Sequence, residues 1–224
     1  MSHKPLYDIT PFTVLDYPDH LAAIFWFSKC NMRCVYCYNK DIVLREGNMD
    51  EGEALAFLKS RRGLLEAVVL SGGEATLYKD LALFCKRIKE LKFKIKLDTN
   101  GLNPEMVQLL VENSLVDYIA LDYKAPKEKY LEITKDKHFD NFSRTLNFLI
   151  RKEFAFEVRT TVHSDLLRAE EINRIMNDLV KRGYGGTYYL QPFVFTENTI
   201  GKIQVAKAPL DTARISNALK VVWR

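Results

Sequence analysis

The sequence predicts an α/β protein built on a parallel sheet. Short apolar runs rich in β-branched and aromatic residues alternate with amphipathic segments along most of the 224 residues, the pattern left by successive βαβ units. Glycines at positions 101, 183, 185 and 186 punctuate the junctions, where the chain has to turn. About six repeats are too few for a closed eight-stranded barrel. On periodicity alone a partial barrel and an open doubly wound sheet both remain, and in either one ligands gather at the carboxyl ends of the strands.

In chain order the strands are predicted at 22–28 (AAIFWFS), 66–71 (EAVVLS), 93–99 (FKIKLDT), 116–123 (VDYIALDY), 154–162 (FAFEVRTTV) and 186–193 (GTYYLQPF). Helices are predicted at 50–61, 77–91, 104–113, 140–152 and 168–182. In the second of these Leu81, Phe84, Cys85 and Ile88 share one face, the three- and four-residue spacing of a buried stripe. Start signals precede several: Asp50-Glu51, Asp140 and Asn141, and Asn103 followed by Pro104 at the first helical position. A last helix is predicted over 210–223, covering one end of the sheet. With no linker or repeat in view, the reading is one domain over 1–224, with a core at about 20–195 and a C-terminal helical extension at about 196–224.

Composition excludes several classes. With 47% hydrophobic and 28% charged residues the chain is neither disordered nor fibrous. No apolar run reaches the roughly 20 residues that span a bilayer, and the opening MSHKPLYDIT lacks a signal-peptide profile. A cytoplasmic protein without a membrane partner is therefore expected. The net charge of +4 permits an acidic partner without demanding one. Lys86, Arg87, Lys89, Lys92, Lys94 and Lys96 read as the wet face of a helix running into a strand. They do not read as a nucleic-acid patch, since only Phe93 offers an aromatic platform.

Three of the four cysteines are crowded into CNMRCVYCYN, as Cys30, Cys34 and Cys37, directly after the first predicted strand. In a reducing compartment such a cluster is metal-binding or catalytic rather than disulfide-forming. Three thiolates so close repel one another unless a metal neutralises them. Structural zinc wants four ligands, usually from paired C-x2-C units. Here there is one such pair, and His20 and Cys85 are distant in sequence; Cys85 sits on an apolar helix face, where a cysteine acts as a small hydrophobe. A cubane iron–sulfur cluster has four irons, each wanting a ligand. Three cysteines leave one iron open to bind a small molecule.

Other strand ends carry polar chemistry. SGGEATLY at 71–78 offers Gly72 and Gly73, which permit close backbone approach, and the carboxylate of Glu74. The third strand ends in Asp98-Thr99-Asn100-Gly101 and the fourth in Asp122-Tyr123-Lys124. Each suits a turn, but Asp122 and Lys124, two apart, share one side of a strand at the rim. Arg159 on the fifth strand is placed to pair with a carboxylate there. His3, His20, His138 and His163 show no paired spacing and suggest neither a metal nor an acid–base motif.

The motif C-x3-C-x2-C with an aromatic before the last cysteine, met by Cys30, Cys34, Tyr36 and Cys37, resembles that of radical S-adenosylmethionine (radical SAM) enzymes. The resemblance implies a partial (β/α)6 TIM-like barrel. It implies a 4Fe-4S cluster on the three cysteines, with the methionine part of S-adenosylmethionine chelating the open iron. It also implies adenine contact around Tyr36, and a GGE segment, Gly72-Gly73-Glu74, receiving the methionine ammonium group. The stretches ITPFTVLDYP, LDTNGLNP, ALDYKAP and YYLQPF resemble those of glycyl-radical-enzyme activating proteins, specifically of anaerobic ribonucleoside-triphosphate reductase, over residues 9 to about 195. That likeness gives Asp98, Thr99, Asp122 and Lys124 cofactor roles; Arg159 joins the cofactor-binding set through the carboxylate pairing read above. It lets the two aspartates and the threonine cradle a monovalent cation, and it implies a glycyl radical enzyme as protein substrate and an electron donor such as flavodoxin or ferredoxin. Ala75, Asp19 and Tyr38 depart from that subgroup, where proline, glycine and histidine are usual. The rival readings are a radical SAM enzyme acting on a small molecule or RNA, as in deazapurine synthesis or tRNA modification, and a non-catalytic metal module. The last has no use for GGE, DTNG and D-x-K at successive strand ends.

Overall fold

The computed structural model describes residues 4–224, so His3 lies outside the described residues. The chain forms two compact units. The first holds the described residues up to Asn31 together with Asp41–Thr99 and Asn103–Ile119. Its strands lie in chain order: β1 (Leu6–Thr13) runs antiparallel to β2 (Ala22–Phe27), and β2, β3 (Ala67–Gly72) and β4 (Lys94–Thr99) are parallel neighbours. The register sets Phe27 opposite Gly72. The two strands therefore finish level, and Cys30 and Glu74 leave the sheet from the same edge.

Local chemistry explains the helices of this unit. After the short α1 (Lys40–Leu44), α2 (Glu51–Ser60) opens on a reciprocal cap: Glu53 N–H donates to the Asp50 carboxylate at 3.0 Å and Asp50 N–H to the Glu53 carboxylate at 2.8 Å. In α3 (Leu81–Glu90) the predicted face is the buried one, with Phe84 against Phe25 and Phe27 at ring distances of 6.1 and 6.3 Å. Cys85 is fully buried there and burial pushes its thiol up to about 12, so it is a core residue, as expected. In α4 (Pro104–Glu112) the Asn103 side chain accepts the Met106 N–H at 3.2 Å.

β5 (Tyr118–Asp122) begins in the first unit and ends in the second, which comprises Met32–Lys40, Asn100–Leu102 and Ala120–Arg224. There β6 (Phe156–Val162), β7 (Tyr188–Pro192) and β8 (Val221–Trp223) are parallel neighbours in that order. The end of β5 is tied to β6, with Tyr123 N–H donating to Arg159 O at 2.8 Å and Thr160 Oγ1 donating to Tyr123 O at 2.6 Å. The helices are α5 (Lys127–Thr134), α6 (Phe139–Arg151) and α7 (Ala169–Lys181). An aromatic knot of Tyr123, Tyr130, Phe139 and Phe142 joins α5 and α6 to β5, with the Tyr123 and Phe142 rings 4.6 Å apart.

The α/β class and the parallel sheet stand as predicted, and all six predicted strands are present. Three expectations are corrected. β1 and β8 were not foreseen; β1 carries Pro11 and mixes buried, half-buried and exposed residues, the profile of an edge strand with no clean alternation. The helix expected over 210–223 is an irregular tail with one 3₁₀ turn at Thr212–Arg214, closing in β8. Sheet pairing wins over helical periodicity there: Tyr188 N–H donates to Lys220 O at 2.8 Å, the Arg224 guanidinium lies 3.6 Å over the Tyr189 ring, and it pairs with the buried Glu157 at 3.0 Å. Lys96 is the third correction, being 1% exposed rather than part of a wet face. Among the described residues no helix is long and apolar enough to cross a membrane.

Candidate active site

In the first unit the site begins where β2 ends. Lys29 takes a left-handed φ of +68°, a strained choice for a residue with a Cβ. The turn is held by Lys29 N–H donating to Ile42 O and by Lys29 O accepting from Glu74 N–H, both at 2.8 Å. It delivers Cys30 to the edge of the sheet. The two glycines of GGE answer to this turn. A Cβ on Gly73 would sit 1.8 Å from Lys29 O, and one on Gly72, at φ +111°, 2.5 Å from Phe27 O. The close approach foreseen from the sequence is thus to the chain's own backbone, and it fixes where the next residue points. Glu74 is 2% exposed, and its Oε1 accepts from Thr76 N at 3.2 Å, Thr76 Oγ1 at 2.6 Å and Thr99 Oγ1 at 2.7 Å. Thr99 therefore orients the carboxylate.

Asp98 accepts from Ser71 Oγ at 3.0 Å and lies 3.2 Å from Lys96 Nζ, which also donates to Asp16 O at 2.5 Å. Lys96 thus pairs with the carboxylate of Asp98. Sequence reasoning missed it because it sat in a lysine-rich stretch. Its signal is the spacing, since Lys96 and Asp98 repeat the two-residue offset of Asp122 and Lys124 on one strand face.

In the second unit Cys34, Tyr36 and Cys37 lie on a turn hung from the end of α5. Arg33 N–H donates to Thr134 O and Val35 N–H to Ile133 O, both at 2.9 Å, using helix-end carbonyls that have no intrahelical partner. Cys37 N–H closes the turn onto Cys34 O at 3.0 Å. From the other side the tail fastens it: Ile200 N–H donates to Cys37 O and Gly201 N–H to Val35 O, both at 2.9 Å. A Cβ on Gly201 would meet Val35 O at 2.6 Å and Val35 Cα at 2.8 Å. Thr199, 1% exposed, sets this clasp by accepting Ile203 N–H at 3.0 Å. Nothing in the sequence reading pointed to Thr199–Gly201; its one signal is a glycine isolated in an irregular tail.

The turn is electrically coupled to the end of β5. Burial pushes the Cys34 thiol up to about 11, with Lys124 pulling it down and Cys37 and Asp122 pushing it up. Burial also raises Cys37, against an Asn39 backbone hydrogen bond, Lys124 and Arg33. Asp122 accepts from Lys124 Nζ at 2.9 Å and from Arg159 Nε at 2.8 Å, the pairing expected of Arg159. Burial pushes this carboxyl up, but Arg159 and Lys124 outweigh it and hold it at about 2. Burial works to discharge Lys124, yet Asp122, Tyr36 and Cys34 raise it well above the usual lysine range. The described histidines are structural: His20 faces Glu66 and His138 faces Asp136, each at 3.1 Å, and His163 Nε2 meets Gln204 O at 2.8 Å. Among the described residues no three His, Cys, Asp or Glu side chains are grouped as a metal-holding set.

Residues 24–179, more than half of the chain, match the Radical SAM superfamily. The chain belongs to the radical SAM superfamily. This family works with a 4Fe-4S cluster and S-adenosylmethionine. Over 173 residues the radical SAM chain is 34% identical to a Methanocaldococcus jannaschii protein that bears the provisional name of glycyl-radical enzyme activating enzyme, covering 75% of this chain and 72% of that one. It is also 27% identical over 195 residues to a GTP 3′,8-cyclase of Synechocystis, covering 79% of this chain and 59% of the cyclase. Among solved structures it is similar to Streptococcus suis SuiB bound to S-adenosylmethionine, with a TM-score of 0.70 at 14% identity, covering 90% of this chain and 51% of SuiB. That likeness shows the radical SAM fold, with which a partial barrel is consistent.

The residues present suit these cofactors. Soft thiolate donors favour iron–sulfur clusters, and the Lys124 ammonium lowers both Cys34 and Cys37 against the cost of ionising them in a buried place. The buried Tyr36 hydroxyl has no hydrogen-bond partner among the described residues, a vacancy of the kind a bound group fills.

Two outcomes test this geometry. Gly201→Val should leave the far-UV circular dichroism unchanged and speed the loss of iron to a chelator at least about tenfold, because the clasp can no longer seat on Val35. An unchanged rate would remove the clasp from the site. Asp122 has a native carboxyl near 2 against 3.8 unfolded. Its contribution is full above the unfolded value and disappears as pH falls through the native one. Asp122→Asn should therefore be less stable than the parent by about 2 kcal/mol at pH 6, with the gap closing between pH 4 and pH 2 in denaturant titrations. A gap independent of pH would contradict the pairing.

Proposed function

We propose that the chain acts as one cytoplasmic radical SAM domain that activates a glycyl radical enzyme, with anaerobic ribonucleoside-triphosphate reductase as the partner the sequence most resembles a match for. The supporting observation is the archaeal relative named for that activity, which is matched over most of both chains. The cysteine count supports it too, since Cys85 is committed to the core and no set of cysteines is left for a second cluster.

In this reading Cys30, Cys34 and Cys37 are the three thiolate ligands of the cluster. Glu74, set by Gly72 and Gly73, receives the ammonium group of S-adenosylmethionine, and the backbone around Tyr36 borders its adenine. Asp98, Thr99, Asp122, Lys124 and Arg159 form the polar rim around the rest of the cofactor. When bound, the cluster and S-adenosylmethionine would supply, for one electron from a donor such as flavodoxin or ferredoxin, methionine and a 5′-deoxyadenosyl radical able to take a hydrogen atom from a glycine α-carbon of the partner. The side chains of this protein bind, orient and exclude water; the cofactor carries the bond-breaking step.

A second reading is favoured by one observation, the match to the GTP 3′,8-cyclase: the substrate is then a nucleotide in place of a protein. Incubating the reduced chain anaerobically with S-adenosylmethionine and the candidate reductase should give a glycine-centred doublet in electron paramagnetic resonance, in step with 5′-deoxyadenosine release. A chain that cleaves S-adenosylmethionine, leaves the reductase silent and couples cleavage instead to consumption of a nucleoside triphosphate would replace the first reading with the second.

A further inference from the structure

The Tyr36 side chain has no role in the packing described so far that requires its oxygen. Tyr36 is 5% exposed, and its hydroxyl is buried without a hydrogen-bond partner among the described residues. Burying a hydroxyl unpaired is costly, and such a group normally marks a water, an ion or a cofactor. Phenylalanine would fill the same space without that cost. The oxygen therefore points to a ligand.

The surroundings narrow what that ligand offers. The hydroxyl belongs to the turn that carries Cys34 and Cys37, and a phenol offers it as a donor. A donor needs an acceptor. Lys124 has none to give. Asp122 already accepts from Lys124 on one oxygen and from Arg159 on the other. Cys34 O is taken by Cys37 N–H, and Cys37 O by Ile200 N–H. Cys34 Sγ, as a thiol, is itself turned toward Met32 Sδ at 3.8 Å. The sulfurs become acceptors only once the thiols lose their protons to bind iron. Tyr36 stands between the two cysteines in sequence, one residue from one and two from the other, on the turn pinned from both flanks.

We propose that the Tyr36 hydroxyl donates a hydrogen bond to a sulfur at the edge of the cluster held by Cys34 and Cys37, and that this bond makes the cluster easier to reduce. A donor aimed at sulfur withdraws negative charge, and the reduced state, carrying one more electron, gains more from it than the oxidised state. The role goes beyond the adenine contact assigned to this position, which uses backbone rather than the phenol. It rests on ligation by Cys34 and Cys37 and not on the identity of the substrate.

The test uses the full chain, reconstituted anaerobically, with potentials followed by electron paramagnetic resonance of the reduced cluster in the absence of S-adenosylmethionine. Tyr36→Phe should bind the same iron and sulfide per chain as the parent, yet at the parent's midpoint its reduced-to-oxidised ratio should fall threefold to tenfold, tenfold being about 59 mV for one electron. Placing 3,5-difluorotyrosine at position 36, a stronger donor of the same shape, should move the ratio the other way. This second substitution keeps the hydroxyl and so remains informative if the phenylalanine variant loads poorly. Equal potentials in fully loaded parent and variants would overturn the proposal while leaving the ligand assignment intact. A parent that takes up no cluster would overturn the ligand assignment itself.

Discussion

The site proposed for this molecule rests on a turn whose backbone is engaged from both sides. α5 holds Arg33 and Val35 by their N–H groups, and the tail holds Val35 and Cys37 by their carbonyls. Each such bond is worth only about 0.5–1.5 kcal/mol net, but four of them fix the path of a segment with no regular structure of its own. The side chains of Cys34, Tyr36 and Cys37 are thereby released from structural duty. Burial makes the buried Cys34 and the partly exposed Cys37 resist ionising; the ammonium of Lys124, itself held charged by Asp122, counters this at both, together with the Asn39 backbone hydrogen bond at Cys37. Backbone fixes position, and one buried cation sets the charge balance.

The same economy appears twice. Lys96 with Asp98 on β4, and Asp122 at the end of β5 with Lys124 just past it, place a cation and a carboxylate two residues apart at a strand end. Buried charges are costly unless paired and hydrogen-bonded, and in both cases a further group completes the pairing: Ser71 Oγ and Asp16 O for the first, Arg159 for the second. Such pairs yield preorganised polar groups at the rim rather than net stability.

Much of this was legible in the sequence because the relevant signals are local. Six strands announced themselves by β-branched runs, α4 by Asn103-Pro104, and the buried face of α3 by the spacing of Leu81, Phe84, Cys85 and Ile88. The cysteine spacing named the family before any fold was in hand. What was not legible depends on distant partners. β8 is a strand only because β7 offers an edge to it, and the tail clasp exists because Gly201 finds Val35. Lys96 looked exposed among its neighbours Lys94 and Lys92 because only β4's inner face and Asp98 reveal where it points. The glycines of GGE were read for their openness to a ligand, whereas their first obligation is to Phe27 and Lys29.

If Cys30, Cys34 and Cys37 hold the cluster as proposed, one of its irons lacks a protein ligand. The most direct measurement is the electron paramagnetic resonance spectrum of the reduced, reconstituted chain before and after S-adenosylmethionine is added. With about four irons per chain, the account predicts a distinct shift in g values on addition, since the cofactor takes the vacant coordination position. A spectrum unchanged at saturating S-adenosylmethionine, in a chain that carries its full iron, would contradict it.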